Sequence, residues 1–169
     1  EAHHPDKSVH YVEQEEMRGQ SHALYLAKEY LQGPMLMAFS DTLIETDLSF
    51  LKQESADGIA WVKQVPDPRR FGAAKVDGKG NILRLIEKPQ DINENLVVVG
   101  FYYFKSGEVL MKAIETQIER NVSLKNEYFL ADAINILLEQ GHQMRVNQVE
   151  TWLDAGIPDT VLETNRYLL

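Results

Sequence analysis

The sequence predicts an α/β fold built on a mixed central sheet, and three observations carry that prediction. Short apolar, β-branched runs alternate with segments whose apolar residues recur at helical spacing, the pattern of strands interleaved with covering helices. Two of the runs flank Asp77-Gly-Lys-Gly-Asn81, whose Gly and Asn residues supply the positive φ angles of a tight reversal and so add an antiparallel hairpin. The strongest strand signal is Leu96-Val-Val-Val-Gly-Phe-Tyr-Tyr-Phe104. No repeat or low-complexity linker interrupts the chain, so a single domain over residues 1–169 is expected.

Taken in order, residues 9–13 alternate and read as a short strand. Residues 20–31 carry Ala23, Leu24, Ala27, Tyr30 and Leu31 at helical spacing, closed by Gly33. The six apolar residues 34–39 read as a central strand buried on both faces, with Asp41 just past its carboxyl end. A short helix over 48–53 and a buried strand over 58–65 follow, before Pro66 and Pro68 break the chain. The hairpin arms are 71–76 and 82–87, stopped by Pro89. Helices are expected around Val109, Leu110, Ala113, Ile114 and Ile118, and around Leu130, Ala133, Ile134, Leu137 and Leu138. A late strand over 143–149 and a final helix opening on Pro158 complete the set.

Composition narrows the function. The 169 residues are 44% hydrophobic, an ordinary globular value. Twenty-six acids against 17 bases give a formal charge of −9, which argues against nonspecific nucleic-acid binding but leaves room for a small anionic ligand met by a metal or a few local bases. The absence of cysteine excludes disulfides and thiolate metal sites and is compatible with the cytoplasm, the location expected here. No apolar window has the roughly 18 residues of a membrane span, so no membrane partner is expected.

Four patches stand out for chemistry: Asp41 after its strand; Phe71-Gly72 with Glu87-Lys88-Pro89; Gly100 within a strand; and Trp152-Leu-Asp154-Ala-Gly156. Each has a plain reading. Asp41 and Asp154 could cap turns or helices, Glu87 and Lys88 could be a solvated strand end, Gly100 could be a bulge, and Gln14 a surface glutamine. The functional reading of Asp41 rests on ligands binding at the carboxyl ends of strands in open α/β sheets, where a carboxylate can hold Mg²⁺.

Taken together and in this order, the patches resemble the nucleotidyltransferases that make nucleoside-diphosphate sugars, specifically the glucose-1-phosphate thymidylyl- and uridylyltransferase-like pyrophosphorylases. Tyr11-Val-x-Gln14 and Gly19-x-x-His22-Ala23-Leu24 look like that family's base-lining segment. Ser40-Asp41-Thr42 resembles its Gly-Asp-Asn metal motif, and Trp152-x-Asp154-x-Gly156 its second metal motif. Phe71-Gly72, Glu87-Lys88-Pro89 and Val99-Gly100-x-Tyr102 resemble its sugar-phosphate pocket, and residues 127–134 its acidic, aromatic stretch. Ser40 and Thr42 depart from the usual Gly and Asn, and Ile157 stands where Thr is common. The family's Gly-rich, Arg-containing signature is missing, so the chain, which opens on Glu1, is expected to be part of a longer enzyme lacking its first strand. Many relatives also carry a C-terminal left-handed β-helix.

The resemblance implies a Rossmann-like three-layer sandwich, the nucleotide-diphospho-sugar transferase fold. It implies transfer of a nucleotidyl group from an NTP, dTTP or UTP, to a sugar-1-phosphate. Asp41 and Asp154 would hold Mg²⁺ and should lie about 4–7 Å apart to share it. Lys88 would neutralise the sugar phosphate as a point charge. Glu87 would accept from sugar hydroxyls; Gly72 and Gly100 would let backbone approach the sugar, with Tyr102 and Trp152 beside it. Gln14 and Gly19 would meet the base. The 169 residues alone are expected to be inactive, and to self-associate as a homo-oligomer or pair with the missing N-terminal segment. Two other readings compete: a non-catalytic, regulatory or ligand-sensing member of the fold, and an unrelated Rossmann-like binding module. Mg²⁺-dependent binding without turnover in the full-length protein would mark the former, and failure to bind any nucleotide or sugar phosphate the latter.

Overall fold

The computed structural model describes residues 8–156 and 158–169. In chain order its elements are α1 (Gln20–Leu26), β1 (Met35–Ala38), β2 (Thr42–Ile44), β3 (Gly58–Gln64), β4 (Gly72–Val76), β5 (Ile82–Glu87), β6 (Leu96–Phe104), α2 (Gly107–Glu119), α3 (Leu130–Glu139), β7 (Met144–Gln148), β8 (Trp152–Asp154) and α4 (Pro158–Leu168). Six strands form one sheet in the order β5-β4-β6-β3-β7, with β1 also paired to β6; β2 and β8 form a separate two-stranded sheet. The β3–β7 pair is parallel and the remaining pairs are antiparallel, so the sheet is mixed.

β6 organises the sheet. One edge pairs with β3; the other is shared, Val97 facing Ala73 of β4 while residues 101–104 face β1. The change of partner falls at Gly100, whose φ of 74° lies in the left-handed region that glycine occupies without penalty. A bulge accompanies it: Ala60 pairs with Tyr102 and Val62 with Val98, leaving Val99, Gly100 and Phe101 opposite Trp61 alone.

β3 is buried on both faces because both are covered. Ala60 and Val62 of β3 join Tyr102, Phe104, Leu110, Ile114, Leu130 and Ile134 in a core under α2 and α3. Ile59 and Trp61, the alternate residues, pack on the opposite face with Val99, Val149, Phe50 and Trp152. α2 starts at Ser106, whose Oγ accepts from the Val109 amide at 3.2 Å. In the hairpin, the tip hydrogen-bonds to β7, where the Val146 amide donates to the Gly80 carbonyl at 3.0 Å.

Several expectations are corrected. Residues 9–13 form no strand; they have no ladder partner among the described residues, and alternation without an edge to pair with does not make a strand. The helix over 20–31 stops at Leu26 and continues only as a 3₁₀ turn, Lys28–Tyr30; that over 48–53 is the 3₁₀ turn Ser49–Gln53. β1 is neither central nor buried on both faces. Its only partner among the described residues is β6, and its burial alternates, leaving Leu36 48% exposed. Length and apolarity cannot separate a doubly buried strand from an edge strand that is covered on one face.

Candidate active site

Two three-residue strands bring the candidate metal ligands together. β2 pairs antiparallel with β8, setting Thr42 opposite Asp154. Asp41 immediately precedes β2, and its carbonyl accepts from the Ala155 amide at 2.8 Å. The Thr42 hydroxyl donates to the Val99 carbonyl at 2.8 Å, and the Phe39 amide to the Gly100 carbonyl at 2.8 Å, so the turn bearing Asp41 is fastened to the β6 bulge. Across from it, the Gly156 amide donates to Asp154 Oδ1 at 2.9 Å.

The carboxylates face a common space. A Cβ on Gly156 would lie 3.1 Å from both Asp154 Oδ1 and Asp41 Oδ2, so the two oxygens are separated by at most twice that distance. Two hard oxygen donors around a space that a methyl group would fill suit Mg²⁺, which is held by one or two carboxylates and completes its shell with water and substrate phosphates. No group of three or more metal-type side chains occurs among the described residues.

Beside the pair lies a cavity of about 270 Å³. Its walls come from the turn after β1 (Phe39, Asp41, Thr42), the entry to the hairpin (Arg70, Phe71, Gly72), the hairpin's end (Glu87), the β6 bulge (Val98, Val99, Gly100, Tyr102), the start of α3 (Leu130, Ala131) and β8 (Trp152, Asp154). Phe71 and Trp152 meet edge to face, with centroids 5.2 Å apart. The Trp152 indole N–H is buried without an acceptor among the described residues, a donor that a ligand oxygen or a water can satisfy.

Charge in the cavity is lopsided. Asp41, Asp154 and Glu87 stand against Arg70, whose neighbour Arg69 is already paired with Asp67 at 2.7 Å. Burial pushes the Glu87 carboxyl above its ordinary range, and nearby Asp132 and Glu127 add to the rise while Lys88 opposes it. Burial likewise raises the Tyr102 phenol, with Glu87 contributing. An anionic ligand entering such a site needs a cation to accompany it.

The remaining sequence-predicted residues lie at the periphery. Lys88 does not line the cavity. It adopts a left-handed φ of 49°, donates its amide to the Phe71 carbonyl at 3.0 Å and holds Nζ 5.5 Å from the centre of the Phe129 ring. Gln14 and Gly19 are also outside the cavity but adjoin it through Gln20, which lines it and whose Oε1 accepts from the Leu130 amide at 3.2 Å. The missing side chain at Gly19, where φ is 89°, makes room for the Tyr128 backbone: a Cβ would sit 2.6 Å from the Tyr128 carbonyl oxygen. At Gly100 it makes room for Phe39, whose ring carbon would be 2.7 Å from a Cβ. Gln20 and Arg70 were not singled out by the sequence, and Thr42 only as a neighbour of Asp41 in its motif.

A family model described as nucleotidyl transferase matches residues 3–169. The chain is 35% identical over 168 residues to the low-salt glycan biosynthesis nucleotidyltransferase Agl11 of Haloferax volcanii, covering 95% of this chain and 45% of that protein. It is 34% identical over 167 residues to the bifunctional protein GlmU of Methanocaldococcus jannaschii, covering 98% and 38%. A glucose-1-phosphate thymidylyltransferase of Streptomyces antibioticus is 30% identical over 169 residues, covering 95% and 46%. The chain therefore spans less than half the length of these relatives. The solved nucleoside-diphosphate-sugar pyrophosphorylase of Vibrio cholerae RC9 superposes with a TM-score of 0.75 at 22% identity, covering 89% of this chain and 66% of that one, which establishes the fold alone.

Proposed function

The chain belongs to the nucleotidyl transferase family, and from that premise we propose that the protein joins a sugar-1-phosphate to the nucleotidyl group of dTTP or UTP. A phosphate oxygen of the sugar-1-phosphate attacks the α-phosphorus. A new P–O bond forms, the bond from the α-phosphorus to the bridging oxygen breaks, and pyrophosphate leaves. The attacking oxygen is already ionised at neutral pH, so no general base is needed; the task is to position two polyanions and offset their charge.

The observation that carries this reading is the convergence of Asp41 and Asp154, far apart in the sequence, beside a cavity of sugar size. Asp41 and Asp154 would hold Mg²⁺, which supplies charge neutralisation to the phosphates when bound. Glu87 accepts from sugar hydroxyls, and Gly72, which carries no side chain to crowd Val98 and Glu87, leaves room for the sugar. Tyr102 and the Phe71–Trp152 pair form the apolar wall against which a sugar ring lies. Gly100 shapes the wall through its bulge. Lys88 and Arg70 supply positive charge to the sugar phosphate from either side of the hairpin's base. Gln14 and Gly19 provide the edge for the nucleotide base.

The test is pyrophosphate release by the complete polypeptide with Mg²⁺, each common NTP and a panel of sugar-1-phosphates. Release with one pyrimidine nucleotide and one sugar phosphate is expected; a folded protein that releases none with any pair overturns the reading. For the 169 residues by themselves we propose binding without turnover, because their sequence offers no Gly-rich basic loop to cradle the departing pyrophosphate.

A further inference from the structure

His22 makes one contact that bears on base recognition. Gln14 Nε2 lies 3.1 Å from the Gly19 carbonyl oxygen and 2.9 Å from His22 Nδ1. A carbonyl oxygen only accepts, and the Gly19 oxygen also accepts from the Ala23 amide at 3.2 Å. The amide nitrogen of Gln14, not its oxygen, must therefore face Gly19, which settles the otherwise ambiguous orientation of the carboxamide. That nitrogen has two hydrogens: one goes to Gly19, and the other points to His22. His22 Nδ1 must then offer a lone pair, placing the ring hydrogen on Nε2. Both donors of Gln14 are consumed inside the protein, and its Oε1 has no hydrogen-bond partner among the described residues.

We propose that His22 is a positioning residue whose Nδ1 lone pair locks the Gln14 carboxamide with its oxygen free, so that the base edge presents an acceptor and selects a ring N–H. This rests on the reading above that Gln14 meets the base. An acceptor there matches the N3–H of uracil or thymine and opposes the lone pair on N3 of cytosine. A Gln14 released from His22 could turn either end outward and would lose that distinction.

Two measurements decide it. The first is ¹⁵N NMR of the histidine-labelled 169-residue chain at neutral pH, which reads the tautomer without any turnover. The Nε2–H form of His22 is expected, and the Nδ1–H form would overturn the lock. The second compares His22→Leu with His22→Gln in the complete enzyme. His22→Leu removes the acceptor and should raise KM for UTP or dTTP about three- to tenfold, the worth of one hydrogen bond, and lower the preference for UTP over CTP similarly. kcat and KM for the sugar phosphate should stay near wild type. His22→Gln, whose side-chain oxygen accepts, should restore both values. A wild-type nucleotide KM in His22→Leu overturns the proposal, as does an equal loss in all parameters that His22→Gln does not repair. Were no NTP turned over, the catalytic reading would fall, and equilibrium binding of UMP and CMP to wild type and His22→Leu would still decide the base preference.

Discussion

Gly156→Ala isolates the metal cradle from the fold. Gly156 is exposed, and its amide hydrogen bond to Asp154 Oδ1 does not depend on the side chain. The new methyl would stand 3.1 Å from Asp154 Oδ1 and from Asp41 Oδ2. A magnesium ion lies about 2.0–2.1 Å from its oxygen ligands and carries an octahedral shell. A methyl this close to both oxygens would leave less room between the carboxylates for such a shell, so a cation that Asp41 and Asp154 would share should bind more weakly. Disturbing a ligand's support typically costs 10- to 100-fold in metal affinity, about 1.4–2.7 kcal/mol. Stability should change little, since the gain of about 0.4–1 kcal/mol from restricting the unfolded chain is set against the small shift that the two carboxylates must make. Titrating pyrophosphate release with Mg²⁺ in the complete enzyme, alongside a thermal melt, reads both. Unchanged Mg²⁺ dependence in a normally melting Gly156→Ala protein would refute the shared cradle.

Other substitutions probe the remaining parts. Lys88→Ala and Lys88→Gly should lose sugar-phosphate kcat/KM equally, by about 2–4 kcal/mol for one preorganised charge. Lys88→Gly should melt higher than Lys88→Ala, because the left-handed φ of 49° costs a non-glycine residue about 1 kcal/mol. Gly19→Ala should destabilise by about 2–4 kcal/mol in denaturant titration, since the clash at 2.6 Å is with backbone and cannot be relieved by a rotamer. Glu87→Gln should raise Tm at neutral pH: a carboxyl whose folded pKa is raised favours the folded state when protonated, and that contribution is lost as pH rises through the folded pKa. The advantage over wild type should shrink as pH falls and the folded carboxyl, its pKa raised, takes up its own proton.

Much of the architecture was legible because its signals are long or punctuated. β6 matches the run Leu96–Phe104, α3 carries the periodic residues 130–138, and the Asp77–Asn81 reversal is held as the turn chemistry requires, with the Asp77 carboxylate accepting from the Lys79 and Asn81 amides. The β2–β8 ribbon was not legible. Three residues are too few to show a period of two, and the pairing joins segments that are far apart in the chain. That ribbon places Asp154 opposite Thr42, so the sequence could name both carboxylates and the resemblance could imply a shared metal, but only the fold shows how they meet. The cavity's Gln20 and Arg70 were missed for a related reason: their positions come from the walls that surround them, not from a local pattern.

The site's dependence on one glycine follows from how β6 is used. A strand edge that pairs with one neighbour along its whole length leaves no gap. Here the edge passes from β4 to β1, and the bulge at Val99–Phe101 opens between them. The carbonyls exposed by that irregularity are not wasted: Val99 and Gly100 accept from Thr42 and Phe39 and so fix the turn that carries Asp41. A side chain at residue 100 would strain the left-handed backbone and strike Phe39 together. Relaxation that relieved both would disturb the Phe39–Thr42 turn, which the bonds to Val99 and Gly100 hold to β6 and which the β2–β8 ribbon and the Ala155 amide hold beside Asp154. The β6 bulge anchors the turn and the β2–β8 ribbon pairs the two carboxylates, so the geometry of the candidate metal pair is coupled to strand register.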